Sequence, residues 1–347
     1  MEIDGTSSKP LIITTGVPQG SILGPLLFII YMNDIHSTSS KFKFILYADD
    51  STLYSPLCSF SLGLNPSETK EMAHNINKEL QYVTDWLSVN KLSLNASKTK
   101  FMIFHFRQKS IPNDEIPKLK IHNMTIERTS EFNFLGLNIN DKMNWATHTK
   151  CIANKISRSI GILNRMKNFL PLSVLKTMYS SLILSHLTFC ITAWGFECSR
   201  LFKLQKKAIR IITGSKYNAH TEPLLKENSL LKLDDIFKLQ CLKLYHKYKN
   251  NNIPLYFENM FSDNSDVHSY NTRQSNKLHI RGTRTCAASK CIRHYIPKLI
   301  YELPLSITEK LDIHSYKGFS SYVKKMFILK YSTECSIPSC FVCDQTV

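Results

Sequence analysis

Residues 41–54, KFKFILYADDSTLY, constrain the fold of this chain more than any other stretch. Phe42, Phe44 and Leu46 alternate with Lys41, Lys43, Ile45 and Tyr47 at the two-residue period of a strand, and a second β-prone run, 52–54, follows almost at once. The spacing predicts a β-hairpin with two adjacent carboxylates, Asp49 and Asp50, at its tip. An ionised pair carried between apolar strands is costly unless something positive sits against it, and a divalent cation is the simplest such partner. Aspartate is also a common turn residue, so the pair read alone is equally compatible with solvated turn chemistry.

The segment upstream, 16–28, reads GVPQGSILGPLLF. Gly16, Pro18 and Gly20 shape a loop, and Ser21 is placed to cap a helix running to about Asn33. Ile22, Leu23, Leu26, Leu27, Phe28, Ile29 and Ile30 make that helix apolar nearly all round, which predicts that it is buried. In this order and spacing, GVPQGSILGPLLF followed by YADD resembles the palm of reverse transcriptases, in particular those of non-LTR (LINE-like) retrotransposons.

The resemblance implies an RNA-directed DNA polymerase that takes an RNA template, a DNA primer, deoxynucleoside triphosphates and Mg2+ or Mn2+. It makes Asp49 and Asp50 the catalytic acids and metal ligands. It gives the loop of Pro18, Gln19 and Gly20 to the templating base and incoming nucleotide, with Gln19 as the polar contact. Lys98, in an asparagine-then-lysine turn, falls beside the departing pyrophosphate as a general acid, where a proton would neutralise developing charge. Read without the resemblance, Lys98 and Lys100 are equally an ordinary solvated strand edge. Phe134, Leu135 and Gly136 lie where the family has its primer grip, a place where glycine lets a backbone approach closely. The family also has an aspartate on a palm strand upstream of the GVPQG loop, and fingers before it. Only Glu2 and Asp4 precede the loop here, in a polar setting, and neither is nominated. The chain therefore reads as an N-terminally truncated member, with a non-catalytic nucleic-acid-binding remnant as the competing function.

Charge points to the same class of partner. The chain has 347 residues and a net charge of +17, from 44 Lys and Arg against 27 Asp and Glu. Residues 142–216 hold 13 Lys or Arg and one acid, Glu197, a local balance of +12. Such a field favours a polyanion, and the phosphate backbone is the usual one. Ten cysteines scattered through a long chain suit reduced thiols in an intracellular protein, nuclear or cytoplasmic. No signal peptide opens the sequence, and the longest apolar run, 22–32, is too short to span a bilayer, so a soluble protein is expected. No protein partner is legible.

The remaining pattern predicts an α+β chain: a partial palm of antiparallel sheet with packed helices over 1–140, a basic helical thumb-like region over 141–216, and a C-terminal helical region over 217–347 with a polar linker near 263–289. Asn65-Pro66-Ser67-Glu68 starts a helix whose stripe of Met72, Ile76, Leu80, Val83 and Leu87 faces a core. His122-Asn123 marks a tight hairpin, and 132–139, FNFLGLNI, reads as a strand. Ile152, Ile156, Ile160, Leu163, Met166 and Leu170 form a helical stripe, and 172–191 reads as one further apolar helix. Lys155, Arg158, Arg165, Lys203, Lys206, Lys207 and Arg210 lie off the apolar faces and are assigned to nucleic-acid backbone, because almost no acid is present to pair with them. Cys335, Cys340 and Cys343 carry a CxxC spacing with no fourth ligand near enough for a compact zinc knuckle.

Overall fold

A computed structural model describes residues 2–3, 5–7, 16–17, 20–55, 66–105, 118–121, 124–267, 270, 273–312 and 315–333. Two compact units divide the chain, Met1–Glu131 and Phe132–Val347.

In the first unit a short antiparallel pair, β1 (Glu2–Ile3) and β2 (Thr6–Ser7), precedes helix α1 (Leu23–Met32). Ser21 Oγ accepts from the Gly24 N–H at 3.0 Å, which is the expected capping bond. The expected burial of α1 is not found: Leu23, Ile29 and Ile30 are 62%, 64% and 63% exposed, and only Met32 is buried. An all-round apolar helix needs neighbours on every side, and the described residues supply one, where Phe28 and Met32 pack with Ile35 and Val83.

Strands β3 (Lys43–Tyr47) and β4 (Asp50–Tyr54) form the expected antiparallel hairpin, in the register Phe44↔Leu53 and Tyr47↔Asp50. Its apolar face, with Phe42, Phe44 and Leu53, packs on Ile35 and Val83. Helix α2 (Pro66–Val89) turns the predicted stripe inward: Leu80 and Val83 are buried, and Ile76 and Leu87 pack beside them. Asn65, its expected cap, lies outside the described residues. The α2 carboxylate Glu79 is buried as well, receiving the Ser39 hydroxyl at 2.5 Å with the Lys41 ammonium at 3.6 Å. Both partners offset its desolvation.

The rest of this unit is built from short strands. They are β5 (Lys100–Phe101), β6 (Lys120–Ile121), β7 (Met124–Thr125) and β8 (Glu127–Arg128). Strands β6 and β7 pair antiparallel, the expected turn residues His122 and Asn123 lying outside the described residues, whereas β5 and β8 pair in parallel. Leu80, Leu119, Ile121 and Ile126 close a small core beneath them.

Strand β9 (Glu131–Phe134) begins on the last residue of the first unit and, with β10 (Leu137–Asn140), forms the hairpin that opens the second. Residues 132–139 are thus a two-residue hairpin and not the single strand expected, because Leu135 and Gly136 both take left-handed backbone, with φ of 46° and 87°. Helices then follow in sequence: α3 (Ala146–Met166), α4 (Leu172–Tyr179), α5 (Ser185–Thr188), α6 (Ile191–Trp194), α7 (Ser199–Ile212), α8 (Thr221–Glu227), α9 (Leu233–Lys249), α10 (Asn264–Val267), α11 (Cys286–Ser289), α12 (Ile292–Glu302), α13 (Leu305–Thr308) and α14 (Tyr316–Leu329).

The expected continuous helix over 172–191 is broken. A π-type turn at Ser180–Leu184 widens it, and Cys190, at φ 48°, stops it. Among the described residues no single helix is long and apolar enough to cross a membrane. One bent pair, Leu172–Thr188 with Ile191–Glu197, passes by composition, but its Leu175, Ile183, Leu187 and Trp194 are buried in the protein's own core.

That core is one cluster running from Ile152 to Tyr331. It takes the α3 stripe of Ile152, Ile156, Ile160 and Leu163, anticipated from periodicity, then Leu201, Ala208 and Ile212 of α7, then Leu225, Leu233, Ile236, Leu239 and Leu242. Residues 141–216 and 217–347, set apart above by charge, share it. Gly214 closes α7, and the Ser215 N–H reaches back to Arg210 O at 3.0 Å. Cys151, Cys190, Cys198, Cys241, Cys286 and Cys291 are unpaired thiols among the described residues, while Cys335, Cys340 and Cys343 lie outside them.

Candidate functional site

At the tip of the first hairpin, Ala48 takes left-handed backbone at φ 51° and brings Asp49 and Asp50 side by side where β3 turns into β4. A non-glycine residue held there is strained by about 1–2 kcal/mol, and such strain clusters at functional turns. Both carboxylates are exposed. The cost of burying them, from which a cation partner was first argued, is therefore not incurred, and the case for a metal rests on two hard oxygen donors held adjacent. Among the described residues no group of three His, Cys, Asp or Glu side chains is placed to hold an ion, so the two aspartates would be part of a ligand set.

Two further predicted elements belong to the same unit. Gly20 ends the loop before α1 with φ 91°, a conformation that side chains disfavour, and it is exposed, whereas Pro18 and Gln19 lie outside the described residues. Lys98 closes a turn organised by Asn95, whose side-chain oxygen accepts from Ser97 Oγ at 2.7 Å and from Lys98 N at 3.2 Å. The turn leaves the Lys98 side chain exposed just before β5. Among the described residues no hydrogen bond or ion pair links Gly20, Asp49, Asp50 and Lys98.

In the second unit the 134–136 turn is fixed by Asn133, whose Oδ1 accepts from the Gly136 N–H at 3.0 Å. A Cβ added to Gly136 would stand 3.3 Å from Phe189 Cε1, so the aromatic ring lies directly over this turn. Beneath the hairpin, the buried His148 joins it to α3 by accepting from Asn138 N–H through Nδ1 at 3.3 Å. The His148 Nε2 is buried without a partner, and the ring sits edge-on to both Trp145 and Trp194. Burial, and secondly the Lys155 charge, hold its pKa below the ordinary histidine value.

Of the predicted phosphate-binding cations, Lys155, Arg158, Arg165, Lys203 and Lys207 are exposed, and none forms an ion pair among the described residues. Two are partly committed inside the protein. Arg210 Nε donates to Ala219 O at 2.7 Å, and Lys206 Nζ lies 4.4 Å above the Phe202 ring. Phe189, His148 and the buried Gln205 were not nominated from sequence. The signal for Phe189 is faint: an apolar residue at the point where an apolar helical run turns.

Residues 1–139 match the family model described as "Reverse transcriptase (RNA-dependent DNA polymerase)". The chain is 23% identical over 65% of its length to "Probable RNA-directed DNA polymerase from transposon X-element" of Drosophila melanogaster, covering 24% of that protein. It is 24% identical over 69% of its length to "RNA-directed DNA polymerase from mobile element jockey" of the same species, covering 26% of it. Against "Retrovirus-related Pol polyprotein from type-1 retrotransposable element R1 2" of Nasonia vitripennis the figures are 24% over 67%, covering 57%. The similarity thus extends past residue 139 into the helical unit, and the chain spans about a quarter of the length of the first two relatives. No solved structure matches.

Proposed function

We propose, from the premise that residues 1–139 belong to the reverse transcriptase family, that this chain is the palm and thumb portion of an RNA-directed DNA polymerase of a non-LTR retrotransposon. It adds deoxynucleotides to a primer 3′-end on an RNA template. The observation that carries this reading is the YADD hairpin itself, with two adjacent, solvent-open acids on a strained turn inside the family-matched segment.

Magnesium or manganese fits this donor set, since both take carboxylate and phosphate oxygens and fill the remaining positions with water. Held there, the metal ions would lower the pKa of the primer hydroxyl and stabilise the oxygens of the leaving pyrophosphate. Asp49 and Asp50 bind and orient. The loop of Pro18, Gln19 and Gly20 supports the base pair being formed. Lys98 delivers a proton to the leaving pyrophosphate. The turn at Phe134, Leu135 and Gly136 holds the primer end, while Lys155, Arg158, Arg165, Lys203, Lys206, Lys207 and Arg210 track the phosphates of the duplex.

A second reading, a nucleic-acid-binding remnant without catalysis, is favoured by the ligand count: two carboxylates at the tip and no third acid grouped with them among the described residues. Primer extension separates the two. Magnesium-dependent extension that Asp49→Ala abolishes supports the polymerase. Salt-sensitive binding without extension, indifferent to Asp49→Ala, supports the remnant.

A further inference from the structure

We propose that the Phe189 ring is a stacking platform for a nucleobase of the strand held at the 134–136 turn, with the exposed Lys155 of the adjoining helix α3 as a contact for that strand's phosphates. The inference rests on the polymerase reading above and names one part of the strand-holding surface.

Phe189 is 49% exposed, although Leu187 and Ile191 on either side of it in the chain are fully buried. Its position is nevertheless held at several points. The Phe189 N–H donates to Ser185 O at 3.1 Å, its carbonyl accepts from Nε1 of the fully buried Trp194 at 2.9 Å, and Cys190 turns the chain at once at φ 48°. One edge of the ring lies against Gly136, where an added Cβ would meet Cε1 at 3.3 Å and Cζ at 3.6 Å. The backbone that carries the ring is therefore held at several points, one ring edge lies against Gly136, and the rest of the ring is open to solvent. An aromatic surface open to solvent on a held backbone is what base stacking uses, and stacking is indifferent to sequence.

The surrounding charge favours a nucleic-acid strand over an apolar protein segment. His186 lies one helical turn before Phe189, and the Lys155 charge, after burial, holds its pKa down. Lys155, exposed on the adjoining helix, supplies the positive charge here. The one acid between residues 142 and 216, Glu197, is engaged by Lys290 at 3.3 Å.

A DNA primer carrying 2-aminopurine near its 3′-end, annealed to an RNA template, reports both affinity and stacking by its fluorescence. With the full chain, Phe189→Ala and Phe189→Leu are expected to weaken binding by about tenfold and to relieve quenching of the probe, while Phe189→Tyr retains both. Lys155→Ala should reduce the salt dependence without restoring probe fluorescence. Unchanged helical circular dichroism shows that each variant is folded. Wild-type affinity and quenching in Phe189→Leu would overturn the platform, and would mark the face as an apolar docking surface instead. No binding by the wild-type chain itself would overturn the polymerase reading and this inference with it.

Discussion

Gln205 Nε2 donates to the Tyr179 hydroxyl at 3.0 Å, and both side chains are sealed inside the helical core. The same amide donates to Leu231 O and accepts from Leu233 N–H, each at 2.9 Å, tying α7 to α4 and to the start of α9. Burial pushes the Tyr179 pKa up to about 12, so the hydroxyl stays neutral and the network is one of uncharged groups.

Replacing Gln205 by Ala strands the Leu231 carbonyl and the Leu233 N–H in the core, and the expected loss is about 3 kcal/mol of stability. Tyr179→Phe, which leaves both backbone groups paired, should cost about 1 kcal/mol. Urea denaturation followed by circular dichroism measures both. Equal losses would contradict the assignment of the amide as the hub.

Stability should fall with acid through His148. Its folded-state pKa lies below the 6.5 of the free side chain, so the folded protein binds fewer protons than the unfolded chain. The contribution is fully present above about pH 6.5 and is lost as pH falls through the lowered value, because charging the ring breaks its bond from Asn138 N–H. Denaturation midpoints between about pH 5 and 7.5 should drop toward acid in the wild type, and less steeply in His148→Phe, which keeps the packing against Trp145 and Trp194. A slope unchanged in the variant would contradict the assignment.

Gly136→Ala places a Cβ on left-handed backbone and against the Phe189 ring, and should destabilise the second unit by about 1–2 kcal/mol. Phe189→Leu should recover part of that loss, since it removes the atoms that the Cβ meets. A double-mutant cycle by thermal denaturation tests the coupling, and strict additivity would contradict the ring's position over the turn.

Binding of a primer–template duplex should weaken linearly in log–log with salt, and Lys203→Ala and Lys207→Ala should each reduce that slope by about 0.9. Lys206→Ala should reduce it less, because its ammonium already sits over the Phe202 ring. Fluorescence anisotropy between about 50 and 200 mM salt provides the measurement. Three equal decrements would contradict the graded exposure.

Periodicity carried the parts of the fold in which one face is buried. The 41–54 hairpin, the α2 stripe and the α3 stripe could be read because alternation of period two or 3.6 is a direct record of which side faces a core. It failed where the decision lay in backbone conformation. Leu135 at φ 46° and Cys190 at φ 48° fold chain that looks continuous, and a leucine or cysteine gives no warning of left-handed geometry. It failed again at α1, since an apolar residue set shows that burial would be favourable but not that a neighbour is there to provide it. Gln205, among lysines on a basic helix, looks like surface, and only the packing of α7 against α4 and α9 shows it buried. Asp49, Asp50 and Lys98 are nominated by their motifs alone, whereas Phe189 became visible only when the chain brought it over Gly136.

Extension of a DNA primer on an RNA template in magnesium is the most direct test of whether the acids at the hairpin tip serve strand synthesis. The wild-type chain should elongate the primer, and Asp49→Asn, which keeps the shape and removes the charge, should lower the rate by at least about a hundredfold. Equal extension by the two proteins, or tight binding by the wild type with no extension at all, would contradict it.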